Sequence, residues 1–120
     1  RLHEYFGEET ATFDVVLLGL GDNSHTLSLF PGYPVVHENV AWTAAFYLEE
    51  QQMFRLTLTA PVVNLARNVA FVVTGPDKAA AVQAVRSGPY DPNRHPAQQI
   101  RPQNVTLLWF LDEAAAHGPQ

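Results

Sequence analysis

The sequence predicts an α/β fold built on a mostly parallel sheet. Two continuous apolar runs, VVLL at 15–18 and VAFVVT at 69–74, have the pattern of parallel strands covered on both faces. Each runs into a glycine, Gly19 and Gly75, which permits a sharp exit of the backbone. Strands alternating with helices over connections this short argue for a parallel sheet with right-handed crossovers. At 120 residues and 47% hydrophobic, the chain suits one globular domain able to bury roughly two-thirds of its unfolded surface.

Taken in order, residues 1–12 precede the first clear strand and open on arginine, so a piece of a longer protein is expected. After the 15–18 strand, Gly19 and Gly21 frame a turn, and His25 stands at the start of a candidate short helix. Residues 41–48, with Trp42, Phe46 and Tyr47, fit a strand or a short helix, and a strand is preferred. Glu49, Glu50, Gln51 and Gln52 form a polar break. Residues 55–59 (RLTLT) then alternate polar and apolar as a half-buried strand does. Thr59 and Pro61 signal a helix start before an apolar turn through Val62, Val63 and Leu65.

The 69–74 strand ends at Gly75-Pro76-Asp77-Lys78, where proline suits the first helical position and aspartate the positive end of the helix dipole. Ala79, Val82 and Val85 recur on one side of the helix that follows, and Gly88-Pro89 stops it. Residues 89–102 are punctuated by prolines and carry little apolar pattern, so they read as a surface loop and not as a linker to a second domain. Residues 105–110 restore an apolar run. Asp112 and Glu113 then open an alanine-rich helix closed by Gly118-Pro119.

The bulk numbers exclude several classes of function. A formal charge of −5, without a basic stripe, argues against general attraction to nucleic acid or to an anionic membrane. No apolar run approaches the ~20 residues of a membrane span, and no signal segment opens the chain. The absence of cysteine removes disulfides and thiolate metal sites and is compatible with a cytoplasmic location. Arg55, Arg67, Lys78, Arg94 and Arg101 lie after position 50, and an anionic ligand would need a local cluster among such residues.

For chemistry, the five histidines His3, His25, His37, His95 and His117 never fall at metal-binding helical spacing, so no metal site is expected. No GxSxG elbow exists, and Ser24, Ser28 and Ser87 lack base and acid partners in a recognised order. The run GLGDNS lacks the third glycine and the distant acid of a dinucleotide fingerprint. His25 remains. In open α/β sheets ligands bind beyond the carboxyl ends of the strands, which is where His25 falls. A histidine is largely neutral at pH 7 and able to act as a general base, whereas the bland alternative is a packing or capping histidine beside Ser24.

The run GLGDNSHTLSLFPG resembles the GxGxDGHTASLFPG signature of the 6-phosphogluconolactonases, and the similarity continues through RLTLTAPVVNLARNVAFVVTGPDKAAAV and RPQNVTLLWFLDEAAA. It covers nearly all of residues 13–116, with three motifs in the family's order. The resemblance implies a Rossmann-like three-layer fold, here a partial domain in which residues 1–120 are the carboxyl-terminal half. It also implies hydrolysis of 6-phosphoglucono-δ-lactone to 6-phosphogluconate, a step of the pentose phosphate pathway, without metal or organic cofactor. The family histidine falls on His25, as the base that activates water. The lysine of the family's GxxK turn falls on Lys78, facing the substrate phosphate. Arg55, at the head of RLTLT, joins the phosphate or carboxylate neighbourhood, and Gly21 joins the substrate-binding set.

Glucosamine-6-phosphate deaminases share this fold and carry a related motif ending in HIAFNEPG. Phe30 here occupies the place of the deaminase glutamate, and an apolar ring cannot shuttle protons. Two alternatives to the lactonase therefore stand: a non-catalytic sugar-phosphate-binding relative and, behind it, a deaminase-like isomerase. Asn23 and Ser24 replace the family's usual Asp-Gly, and Leu27 replaces its alanine. Loss of the aspartate removes a charge available to orient His25 or hold its protonated form. Ser24, where glycine supplies a positive φ or a close backbone approach, is expected to cost of order 1 kcal/mol in strain or to move the histidine. A larger Leu27 crowds the pocket. The family's first half supplies an opening strand and a phosphate loop, so this fragment is expected to be inactive alone. It is also expected to be unstable unless that half or another chain completes its sheet.

Overall fold

The structure, a computed structural model, describes residues 1–7 and 10–118. A short helix α1 (Leu2–Phe6) opens the chain, which the sequence did not signal. Strand β1 (Val16–Leu18) follows, then the hairpin strands β2 (Thr43–Leu48) and β3 (Met53–Leu58), helix α2 (Ala60–Asn64) and strand β4 (Val69–Val73). Helix α3 (Ala79–Ser87), strand β5 (Leu108–Leu111) and helix α4 (Glu113–His117) complete it. Pro119, placed at the end of the last helix from sequence, lies outside the described residues; Gly118, at φ 82, closes α4.

β1, β4 and β5 form one wholly parallel sheet in the order β1-β4-β5, with Val16 opposite Val69 and Phe71 opposite Trp109. Val69, Phe71, Val73 and Leu18 point to the core, where they meet Val62 and Val63 of α2, Val82 of α3 and Ala115 of α4. The Phe71 ring stacks on Trp109 at 4.2 Å.

The opposite face is bare, contrary to the expectation of strands covered on both sides. Pairing aligns Leu17, Ala70 and Leu108 in one row, and Val72 with Phe110 in another. Leu17 is 67% exposed and Phe110 57%. The apolar runs are real strands, but the described residues include no layer over their second face.

β2 and β3 pair antiparallel as a separate two-stranded ribbon, outside the parallel sheet. The polar break at 49–52 is its turn: a 3-10 segment Glu49–Gln51, followed by Gln52 at φ 50. The two faces of β3 do separate, but in the reverse sense to the one the apolar pattern implies. Leu56 is 80% exposed and Phe54 77%, whereas Thr57 is buried and Arg55 half-buried. Polar residues turn inward because they have work there: Thr57 Oγ1 accepts from the Ser28 N–H at 3.0 Å and donates to Leu58 O at 2.7 Å. The inward face also carries Ala44 and Phe46 onto a small second core of Leu29, Val35 and Val36.

Segment 89–102 departs from a plain surface loop. It contains a 3-10 turn, Pro96–Gln99, in which Pro96, Ala97 and Gln98 are buried. Gln98 satisfies the local backbone, donating from Nε2 to Ala84 O and Pro89 O and accepting from the Asp91 N–H.

Candidate active site

Adjacent parallel strands deliver their carboxyl ends to one edge of a sheet, so the loops after β1 and β4 emerge side by side. The first carries His25 and the second Lys78. A cavity of about 360 Å³ lies between them, lined by Gly19, Leu20, Gly21, His25, Thr26, Leu27 and Lys78. Three of the four residues singled out from sequence, His25, Lys78 and Gly21, thus share one cavity; Arg55 does not line it.

His25 begins no helix. Its turn is closed by Gly21 N–H to His25 O at 2.9 Å and Ser24 N–H to Gly21 O at 3.0 Å, and a bridge joins Thr26 and Leu29. The Thr26 hydroxyl donates to Gly19 O at 2.8 Å, fastening the turn to the exit of β1. Ser24 and Leu27 sit in the left-handed region, at φ 68 and 54. Gly21 does not; what it supplies is room, since a Cβ there would overlap the His25 imidazole and fall 2.8 Å from Asn23 Oδ1.

The imidazole is held on both sides. Phe30 stacks on it nearly parallel, ring centres 4.5 Å apart. Asn23 Oδ1 accepts from the His25 backbone N–H at 3.2 Å and lies 2.6 Å from Nδ1. An amide oxygen only accepts, so Nδ1 carries the proton and Nε2 is left as the basic nitrogen. Asn23 therefore orients the ring without a negative charge. The pKa of His25 is lowered from 6.5, first by burial and then by Lys78, with Arg55 adding and Asp22 opposing.

Lys78 is the last residue of a 3-10 turn, Pro76–Lys78, that runs into α3. Its ammonium donates to Leu20 O at 3.0 Å, which employs one of three donors. Asp112 steadies that turn: its carboxylate accepts from the Gly75 N–H at 3.1 Å while capping α4 through the Ala115 N–H at 2.8 Å. Arg55, on the inward face of β3, donates from Nη2 to Gln51 Oε1, and its Nε is buried without a hydrogen-bond partner among the described residues. A buried orphan donor calls for an acceptor, and an anionic ligand would supply one.

Three features of the site had no local sequence signal: the Phe30 stack, the Asp112 tie and a bond of 2.9 Å between Ser24 Oγ and His95 Nδ1. Ser24 has a histidine partner after all, but it is only 2% exposed, which keeps its hydroxyl from a substrate. Among the described residues no group of three or more metal-ligating side chains occurs, and no helix is long and apolar enough to cross a membrane.

Known proteins resemble this chain in sequence and in fold. Rat 6-phosphogluconolactonase is 40% identical over 118 residues, which is 97% of this chain and 45% of the rat protein. The Synechocystis 6-phosphogluconolactonase is 41% identical over 106 residues, 88% of this chain and 43% of that one. The chain thus spans a little under half the length of these relatives. Among solved structures, the devB protein superposes with a TM-score of 0.82 at 28% identity, over 96% of this chain and 49% of that one. The 6-phosphogluconolactonase of Trypanosoma brucei gives 0.74 at 30% identity, over 92% and 44%. A monomeric glucosamine-6-phosphate deaminase shares the fold, with a TM-score of 0.71 at 21% identity. A family model described as glucosamine-6-phosphate isomerases/6-phosphogluconolactonase matches residues 1–109, and the chain belongs to that family.

Proposed function

We propose that residues 1–120 are the carboxyl-terminal half of a single 6-phosphogluconolactonase domain, which hydrolyses 6-phosphoglucono-δ-lactone to 6-phosphogluconate. The observation that carries this reading is the shared cavity in which His25, with Nε2 left basic by Asn23, stands near the Lys78 ammonium. His25 Nε2 takes a proton from water as the water oxygen bonds to the lactone carbonyl carbon. Collapse of the tetrahedral intermediate breaks the ring C–O bond, and the imidazolium returns its proton to the departing ring oxygen. Lys78 binds the phosphate as a point charge, and Arg55, which lies off the cavity but whose charge reaches His25, is the second cation of that neighbourhood. Gly21 makes space for the base beside the substrate. The step as written uses no cofactor.

The bare sheet face fits this reading, because burying each large apolar side chain is worth about 1.5–3 kcal/mol and the relatives possess another half of chain to do it. The remainder of the domain, or another chain, is proposed to cover Leu17, Val72, Leu108 and Phe110. The 120 residues alone are then inactive. A cytoplasmic site of action is part of the same proposal, and the lack of cysteine is compatible with it.

The test is steady-state lactone hydrolysis by the full-length protein and by His25→Asn. A fall of about 10²–10⁴-fold is expected. A variant as fast as its parent removes His25 from the mechanism. The neutral Asn23 and the left-handed Ser24 favour, as second reading, a sugar-phosphate-binding relative without turnover. Binding of 6-phosphogluconate with no lactone hydrolysis would select it. Phe30, flat against His25, leaves no proton shuttle for deaminase chemistry, so no ammonia release from glucosamine 6-phosphate is expected.

A further inference from the structure

We propose that His95 is a positioning residue for His25, acting through Ser24; the inference rests on His25 being the base of this site. Ser24 is a buried non-glycine residue in the left-handed region, φ 68, a conformation that costs of order 1 kcal/mol and persists only where neighbours enforce it. The enforcement comes from a segment 71 residues away in sequence. His95 Nδ1 meets Ser24 Oγ at 2.9 Å, and the Ala97 N–H donates to Ser24 O at 3.0 Å. Both ends of the serine are thereby gripped by the turn that opens at His95.

That turn is itself firm. The His95 N–H donates to Asp91 O at 2.9 Å, the Gln98 N–H to His95 O at 2.9 Å, and Pro96 and Ala97 are buried beneath it. His95 does not line the His25 cavity but borders a separate hollow with Asp22, Asn23 and Ser24, so its route to His25 runs through Ser24. A serine hydroxyl against an imidazole also has the composition of a nucleophile and its base. Burial of Ser24 excludes that role and leaves a mechanical one. The bond fixes the peptide that leads directly into His25, and with it the Asn23–His25 geometry that leaves Nε2 basic. Where the family usually has glycine, a conformation that glycine adopts freely is here imposed by an external clamp.

The experiment is a double-mutant cycle in the full-length protein with Ser24→Ala, His95→Ala and both, plus His95→Asn, whose amide can reach the serine from the position of Nδ1. Two quantities are read: kcat and KM for lactone hydrolysis, and the imidazole ¹⁵N signals of His25, which report its tautomer without any substrate. Either single variant is expected to lower kcat about tenfold with little change in KM, since a small misplacement of a base acts on the reacting step. The single Nδ1–H tautomer of His25 should become mixed, the double variant should be no worse than either single one, and His95→Asn should recover most of the loss. Unchanged His25 signals in His95→Ala overturn the proposal, as does a full additional loss in the double variant. If His95→Ala does not fold, Ser24→Ala decides by the same signals. A protein without lactonase activity whose His25 tautomer still responds to His95 would retain the clamp and refute the reaction.

Discussion

At the scale of single residues, Asn23 and His25 decide how this site responds to pH. Burial, Lys78 and Arg55 all push the histidine below its usual 6.5, Asp22 partly opposes them, and among the described residues no carboxylate is hydrogen-bonded to the ring. A base must be neutral to accept a proton, so kcat/KM should be level at neutral pH and fall only as pH drops through that lowered pKa. Asn23→Asp places a negative charge where Oδ1 now lies 2.6 Å from Nδ1, which stabilises the imidazolium. The acid limb of the profile should therefore move to higher pH, and a profile displaced to lower pH would contradict the contact. That His25 follows a strand end was legible from the glycine-ended apolar run, whereas Lys78 was singled out only by its place in the resembling family's GxxK turn. Parallel pairing of β1 with β4 accounts for the two lining one cavity. The Ser24–His95 bond was not, since nothing local to either residue points across such a sequence separation.

At the scale of elements, the tie between α4 and the Lys78 turn is the joint most open to test. Asp112 serves as N-cap and as acceptor for Gly75, so one carboxylate couples the last helix to the cationic wall of the cavity. Asp112→Ala should cost about 1–2 kcal/mol in a denaturation titration of the full-length protein and raise KM more than it lowers kcat. A stable variant with an unaltered KM would show that the turn holds itself. The hairpin illustrates the limit of pattern reading. Alternation in residues 55–59 announces a strand with two unlike faces, found at Met53–Leu58, but periodicity does not say which face is inside. Here Arg55 and Thr57 face inward, toward the second core and the histidine turn, while Phe54 and Leu56 are left outside and only Leu58, at the end of the strand, packs on the main core.

For the whole molecule, the dominant fact is a slab with principal extents of 49 × 34 × 22 Å and one apolar face of its parallel sheet open. The apolar runs led to an expectation of strands buried on both faces, and the described residues bury only one; the second burial is part of the proposal that more chain completes the domain. Expressed alone, the 120 residues should bind a hydrophobic dye and sediment as a heterogeneous assembly. Leu17→Lys with Phe110→Lys should make that isolated chain more soluble, while destabilising the full-length protein by several kcal/mol if those side chains are buried in it. Equal behaviour of the two variants in both contexts would mean that the face stays open in the whole protein. The open face also decides how the reaction responds to dilution. If its cover belongs to the same polypeptide, turnover per molecule is independent of concentration. If the cover arrives on a different chain, specific activity falls as the sample is thinned and returns when the missing component is added in excess.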